Sequence, residues 1–124
     1  MRLIALLALL LFGLQPAFGA EPGGAWQDPQ VLRAAFEIDM TPEQRPHFRE
    51  SMTEFLQGFG ADVRRILNGR DRTDLPRKIE RKRRARIRSM DRQMGDFLTE
   101  AQWPAYERWR DLLLEKMAEQ FRRR

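Results

Sequence analysis

The chain has 124 residues, 42% apolar and 33% charged, with a net charge of +5, one histidine and no cysteine. That length holds a single domain. Without cysteine there are no disulfides, thiolate catalysis, iron–sulfur clusters or cysteine-ligated zinc, and one histidine rules out multi-histidine metal centres.

At the amino terminus, Arg2 precedes an apolar run from Leu3 to Leu14 broken only by Gly13. Twelve helical residues rise about 18 Å, short of the roughly 30 Å of bilayer hydrocarbon. Gln15 and Pro16 end the run, and Ala17 and Gly19 then supply the two small residues of a cleavage site. Residues 1–19 therefore read as a signal peptide, cleaved after Gly19. Cleavage after Ala20 would put bulky Phe18 at a small position, and an uncleaved signal anchor is the other reading. An exported protein of the bacterial periplasm is expected, and lack of a thiol suits that oxidising compartment. From Ala20 onward, Leu, Ile, Val and Phe make up only 19% of 105 residues. So thin a core predicts an elongated helical body that dimerises.

Residues 20–38 read as a loose segment, Ala20 to Asp28, followed by a short amphipathic helix from Pro29 to Phe36. Residues 39–124 form the main helical domain. Thr41 can cap a helix, with Pro42 in its first turn and Gln44 reaching back as the partner in a capping box. Phe48, Met52, Phe55, Leu56, Phe59, Val63, Ile66 and Leu67 then recur at helical spacing. Gly58 and Gly60 interrupt that stripe at a cost of about 1 kcal/mol each relative to Ala, and allow a bend or a close helix approach. Asn68-Gly69 stops the helix. After a linker from Arg70 to Pro76, a second long helix is predicted from Arg77 to Phe97. Leu98, Thr99 and Gln102 open a second capping box, with Leu98 and Trp103 placed as a hydrophobic staple. The last helix carries Trp103, Tyr106, Trp109, Leu113, Met117 and Phe121 on one face and ends in three arginines.

The two boxes repeat at an offset of 58, which aligns Met40 with Leu98, Thr41 with Thr99, Gln44 with Gln102 and Pro46 with Pro104. Each proline is expected to kink the first turn of its helix. No hairpin signal competes, so the fold class is all-α with four helices, three long and one short.

The segment LTEAQWPAYERW resembles the LTxxQ motif of the Spy/CpxP family of periplasmic chaperones and stress regulators, and MTPEQRPHF is similar to its first copy. Met40 stands where that motif has Leu. The resemblance covers roughly Asp39 to the carboxyl terminus. It implies an extended, hairpin-like protomer in a curved antiparallel homodimer, without cofactor or ATP use, binding unfolded proteins on a basic and apolar concave face. Met40, Thr41, Gln44, Leu98, Thr99 and Gln102 carry over as structural residues, not catalytic ones, and no enzymatic activity is expected.

Between Arg77 and Arg88 lie eight basic residues and one acid, Glu80. At 100° per residue Arg77, Arg81, Arg84 and Arg88 form one ridge, while Ile79, Met90 and Phe97 cluster opposite, with Ile87 and Met94 beside them. Arg83 falls within the apolar side and Arg86 at its edge. The ridge reads either as a solvated face or as part of a client-binding surface. On the second reading Arg83, Arg86, Met90 and Met94 form an exposed amphipathic patch for acidic, partly unfolded clients. Arg83→Glu with Arg86→Glu is then expected to slow client association more than it lowers stability.

His47 with Met52 could offer two metal ligands, and the resemblance leaves a metal-responsive relative of the same family as an alternative, but no histidine-rich tail supports a dedicated site, and none is expected. The aromatic row of the last helix could be a stacking platform, though its spacing reads first as core or dimer contact. Paired Asp71 and Asp74 lie in a polar linker without a pocket pattern. Nucleic-acid binding is suggested by the arginines but removed by export. Docking on a membrane sensor kinase's periplasmic domain is the regulatory alternative to chaperoning. Arginine contact with anionic lipid is a further possibility, without the long apolar face that stable insertion requires.

Overall fold

The computed structural model describes residues 24–123. The segment read as a signal peptide, its cleavage site and Arg124 lie outside them. The chain is all-α, and among the described residues there is no strand. A 3-10 turn, Ala25–Gln27, precedes α1 (Pro29–Phe36), α2 (Gln44–Asn68), α3 (Leu75–Phe97) and α4 (Trp103–Arg122). The chain divides after Pro46 and after Phe97 into two units, the second running from His47 to Phe97.

In the first unit α1 packs along α4. Asp28 caps α1 by accepting from the Gln30 N–H at 2.9 Å, with Pro29 fitting the first helical position. Val31, Leu32, Ala34 and Ala35 fall on one face and are buried, as are Tyr106, Trp109 and Leu113 of α4. Lys116 lies 3.9 Å from Asp28 near the start of α1, and Gln102 bonds the Asp39 carbonyl beyond its end, so the two helices run antiparallel. Of the aromatic row, Tyr106 and Trp109 are core and Trp103 is half-buried, with ring separations of 4.8 and 5.8 Å between successive members, whereas Phe121, expected on the same face, is 53% exposed. One expectation is corrected here. From Gly24 the segment is not loose, because Ala25 and Trp26 are buried. An indole removes some 150–250 Å² from water, enough to hold a turn next to Pro and Gly residues.

The two capping boxes form as read. The Gln44 N–H reaches Thr41 Oγ1 at 3.2 Å, and the Thr41 N–H reaches back to Gln44 Oε1 at 2.9 Å. The same pair of bonds joins Thr99 and Gln102, at 3.3 and 3.0 Å. The expected proline kink is corrected. Each box closes a tight turn in which the Thr carbonyl accepts from the Gln N–H three residues on, at 3.0 and 3.1 Å. The α-helix begins only at or after the Gln, so Pro46 and Pro104 fall in a first turn, where no helical donor is needed.

In the second unit α2 and α3 form an antiparallel hairpin. Its register is set by His47 against Phe97 (ring centroids 5.5 Å apart), Glu54 bonded to Gln93 at 3.0 Å, and Asp62 bonded to Arg86. Phe48, Met52, Phe55, Phe59, Val63, Met90 and Met94 are buried. α2 stops after Asn68 as expected, but Gly69 does not take a left-handed backbone. Arg72 instead donates to the Leu67 carbonyl at 2.8 Å and satisfies the helix end. α3 starts two residues earlier than predicted, at Leu75. Asp74 turns the chain with φ 53° and accepts the Lys78 N–H at 3.0 Å, so Pro76 sits in the first turn.

Candidate functional site

α3 carries every residue proposed for client binding, and the hairpin sorts them into three groups. Arg81, Arg84 and Arg88 are exposed, in line with Arg77, so the ridge faces water. Arg84 and Arg83 share Glu80, at 3.3 and 3.1 Å. The exposed Arg84 pair contributes under about 1 kcal/mol and leaves that arginine available, while Arg83 is half-buried. Ile87 is half-buried at the edge of the ridge. Met90 and Met94 are only 1% and 0% exposed, which removes them from any surface patch. They occupy the apolar side of α3 and serve as packing, where flexible thioethers fill gaps.

Arg86 is a second correction. Its Nε donates to Asp62 Oδ2 at 2.7 Å and its Nη2 to Asp62 Oδ1 at 3.1 Å, a bidentate charge-assisted pair. Asp62 is 3% exposed and Arg86 36%, so one partner is buried and the other reaches water. The Arg86 hydrogen bond holds the Asp62 carboxyl below its ordinary range, against a burial effect that pushes it up. The same bond pushes the Arg86 pKa up. Gly58 makes room for the guanidinium: a Cβ there would stand 2.5 Å from Nη1 and 2.7 Å from Cζ. Arg86 thus belongs to the α2–α3 contact. Changing it to Glu would set two carboxylates against each other at a buried position, so the expected sparing of stability in the Arg83/Arg86 double variant does not hold.

The sequence carried a signal for this contact that periodicity alone passes over. Asp62 sits within the apolar stripe of α2, seven residues after Phe55 and three after Phe59, with Gly58 one turn before it. A carboxylate on a core-facing row requires a cation, and a glycine one turn away leaves space for it.

The motif residues do more than cap. Gln44 Nε2 donates to Gln102 Oε1 and Gln102 Nε2 to Gln44 Oε1, both at 2.9 Å, and Gln102 Nε2 also donates to the Asp39 carbonyl at 3.0 Å. The two boxes are therefore fastened to each other within the first unit. Met40 and Leu98, which precede them, are buried.

Charge is segregated along the sequence. Residues 64–88 hold twelve basic and three acidic side chains, a net +9, while 24–63 and 89–123 together hold nine basic and fourteen acidic. Lys78 donates to Asp71 at 2.8 Å and the Thr73 N–H at 3.0 Å, which drives the Asp71 pKa well below the carboxylate range. At the other end of the hairpin, Glu50, Glu54 and Asp96 line an open hollow of about 430 Å³ with His47 and Phe97. Among the described residues no three His, Asp or Glu side chains gather into a metal-holding group. Searches of protein-family models, curated proteins and solved structures return no match to this chain.

Proposed function

We propose that the protein is an exported, ATP-independent holdase of the periplasm, acting without cofactor or catalytic residues and resembling the Spy/CpxP chaperones. The observation that carries this reading is the exposed row Arg77, Arg81, Arg84 and Arg88, of which Arg84 pairs with Glu80. Four like charges along one side of a helix attract acid-rich, unfolded segments from solution and hold them loosely. With Met90 and Met94 buried, attraction at this face is chiefly electrostatic, and only half-buried Ile87 adds apolar surface at its edge. The paired LTxxQ-like boxes support the family likeness, and with it a homodimeric assembly.

The test is aggregation of a chemically unfolded acidic client, with and without Ala20–Arg124, at low and high salt. Suppression near stoichiometric amounts without ATP, weakened by salt and lost in Arg81→Glu/Arg84→Glu/Arg88→Glu, is expected. The variant should keep wild-type helicity, because all three side chains are exposed. No suppression from a folded protein, with one stoichiometric partner pulled from envelope extract, would assign the ridge to a sensor-kinase domain and the protein to regulation.

A further inference from the structure

We propose that the tip of the α2–α3 hairpin is a docking surface for an anionic phospholipid bilayer, sharing only Arg77 with the client ridge. The tip joins the end of α2 to the start of α3, and its centre is Leu67, 39% exposed. Arg64 lies one helical turn before Leu67, and the Arg72 guanidinium is bonded to the Leu67 carbonyl. Arg70 and Arg77 are exposed on either side of the turn. Of the two acids in residues 64–78, Asp71 is occupied by Lys78, and together with Asp74 it stands against six basic side chains, a net +4. An exposed leucine in a turn this rich in cations matches a bilayer surface, where guanidinium forks engage lipid phosphates and the leucine enters the headgroup boundary.

A nucleic-acid strand fits less well. Residues 64–78 contain no aromatic side chain on which a base could stack, and a protruding leucine has no role in tracking a phosphate backbone. Spanning is a different matter: among the described residues no helix is long and apolar enough to cross a membrane. The contact is therefore peripheral and governed by charge. Each arginine near an anionic surface contributes about fivefold to partition, fading with salt over a Debye length.

The experiment is co-sedimentation of the full chain with vesicles of phosphatidylcholine alone or with 30% phosphatidylglycerol. The apolar run Leu3 to Leu14 is common to all variants and both vesicle types, so the readout is the ratio of anionic to neutral partition. Arg64→Gln/Arg70→Gln/Arg77→Gln should lower that ratio about hundredfold with unchanged circular dichroism. The chain has no cysteine, so Leu67→Cys accepts a single environment-sensitive dye. Its emission should shift to the blue on anionic vesicles only. An unchanged ratio in the triple variant would overturn the proposal. So would a dye that stays water-like on anionic vesicles while duplex DNA binds the tip, since that outcome assigns a general polyanion site.

Discussion

Gly58 offers the sharpest test of the α2–α3 contact, because replacing it with alanine sets two known effects against each other. In a helix interior Gly→Ala ordinarily stabilises by about 1 kcal/mol. At Gly58 the new methyl would lie 2.5 Å from Arg86 Nη1 and 3.1 Å from its Nε, where ordinary carbon contacts need about 3.5–4.0 Å. The guanidinium must retreat by roughly 1 Å, and that breaks the bidentate geometry with Asp62. A hydrogen bond to a charged group is worth about 1.5–3 kcal/mol. Since a third of Arg86 is exposed and water can partly replace the bond, about 2 kcal/mol is the appropriate figure. Gly58→Ala should therefore destabilise by about 1 kcal/mol net. In an Arg86→Ala background, where nothing blocks the methyl, it should stabilise by about 1 kcal/mol, a coupling of about 2. Arg65, 3.5 Å from Asp62, keeps a cation beside the carboxylate in that background. Gly60 is the control: its Cβ would meet only Arg64 Nη1 at 3.6 Å, so Gly60→Ala should stabilise in either background. Urea denaturation followed by circular dichroism measures all of these. Equal stabilisation by Gly58→Ala with and without Arg86 would refute the argument that this glycine exists to admit the guanidinium.

Asp62 and the paired boxes each give a further expected outcome. Asp62 has a folded pKa below its ordinary 3.8, so its contribution is complete above that value and lost as pH falls through the lower one. Asp62→Asn should thus lower stability at neutral pH but flatten the fall in urea midpoint below about pH 4, and parallel curves for the two proteins would remove Asp62 as the cause. At the paired boxes, Gln102→Glu keeps the acceptor for the Thr99 N–H but loses the donors to Gln44 and the Asp39 carbonyl. A helix cap alone predicts neutrality or slight stabilisation, whereas the linked boxes predict a loss of about 2 kcal/mol, read as a fall in Tm.

The residues that declare themselves in the sequence are those whose partners lie one turn away. Thr41 with Gln44 and Thr99 with Gln102 are local motifs, and periodicity locates the long helices because three- and four-residue spacing is a local property. Arg86 and Gln102 show where that reading stops. On a helical wheel Arg86 is an edge cation, and its partner Asp62 lies 24 residues earlier, so the pairing depends on hairpin register, which no local pattern encodes. Gln102 reads as a cap because its second role needs Gln44, 58 residues away. Met90 and Met94 illustrate a third kind of ambiguity: an apolar row on a basic helix marks an inward face or a sticky outward one equally well. Only the packing of the hairpin decides between them.

The hairpin resolves a conflict built into α3, a helix too basic to pack along its whole length. Its carboxyl-terminal half supplies the anchors, Met90 and Met94, both fully buried. Its amino-terminal half offers only half-buried Leu75 and Ile79, and six exposed basic positions out of the twelve in residues 64–88 fall between Arg70 and Arg84. Arg86 stands at the junction, where one buried carboxylate ties the basic run to α2. Two of the three acids in residues 64–88 stay local: Asp71 is taken by Lys78, and Glu80 is shared by its own neighbours. Stability is therefore concentrated on the Phe97 side of Arg86, while all but Arg88 of the charge row that a partner would meet lies on the Leu75 side, where packing is sparse and local opening costs least. Weakening the basic surface and weakening the fold are consequently separable operations on the same helix, with Arg86 the one arginine at which they coincide.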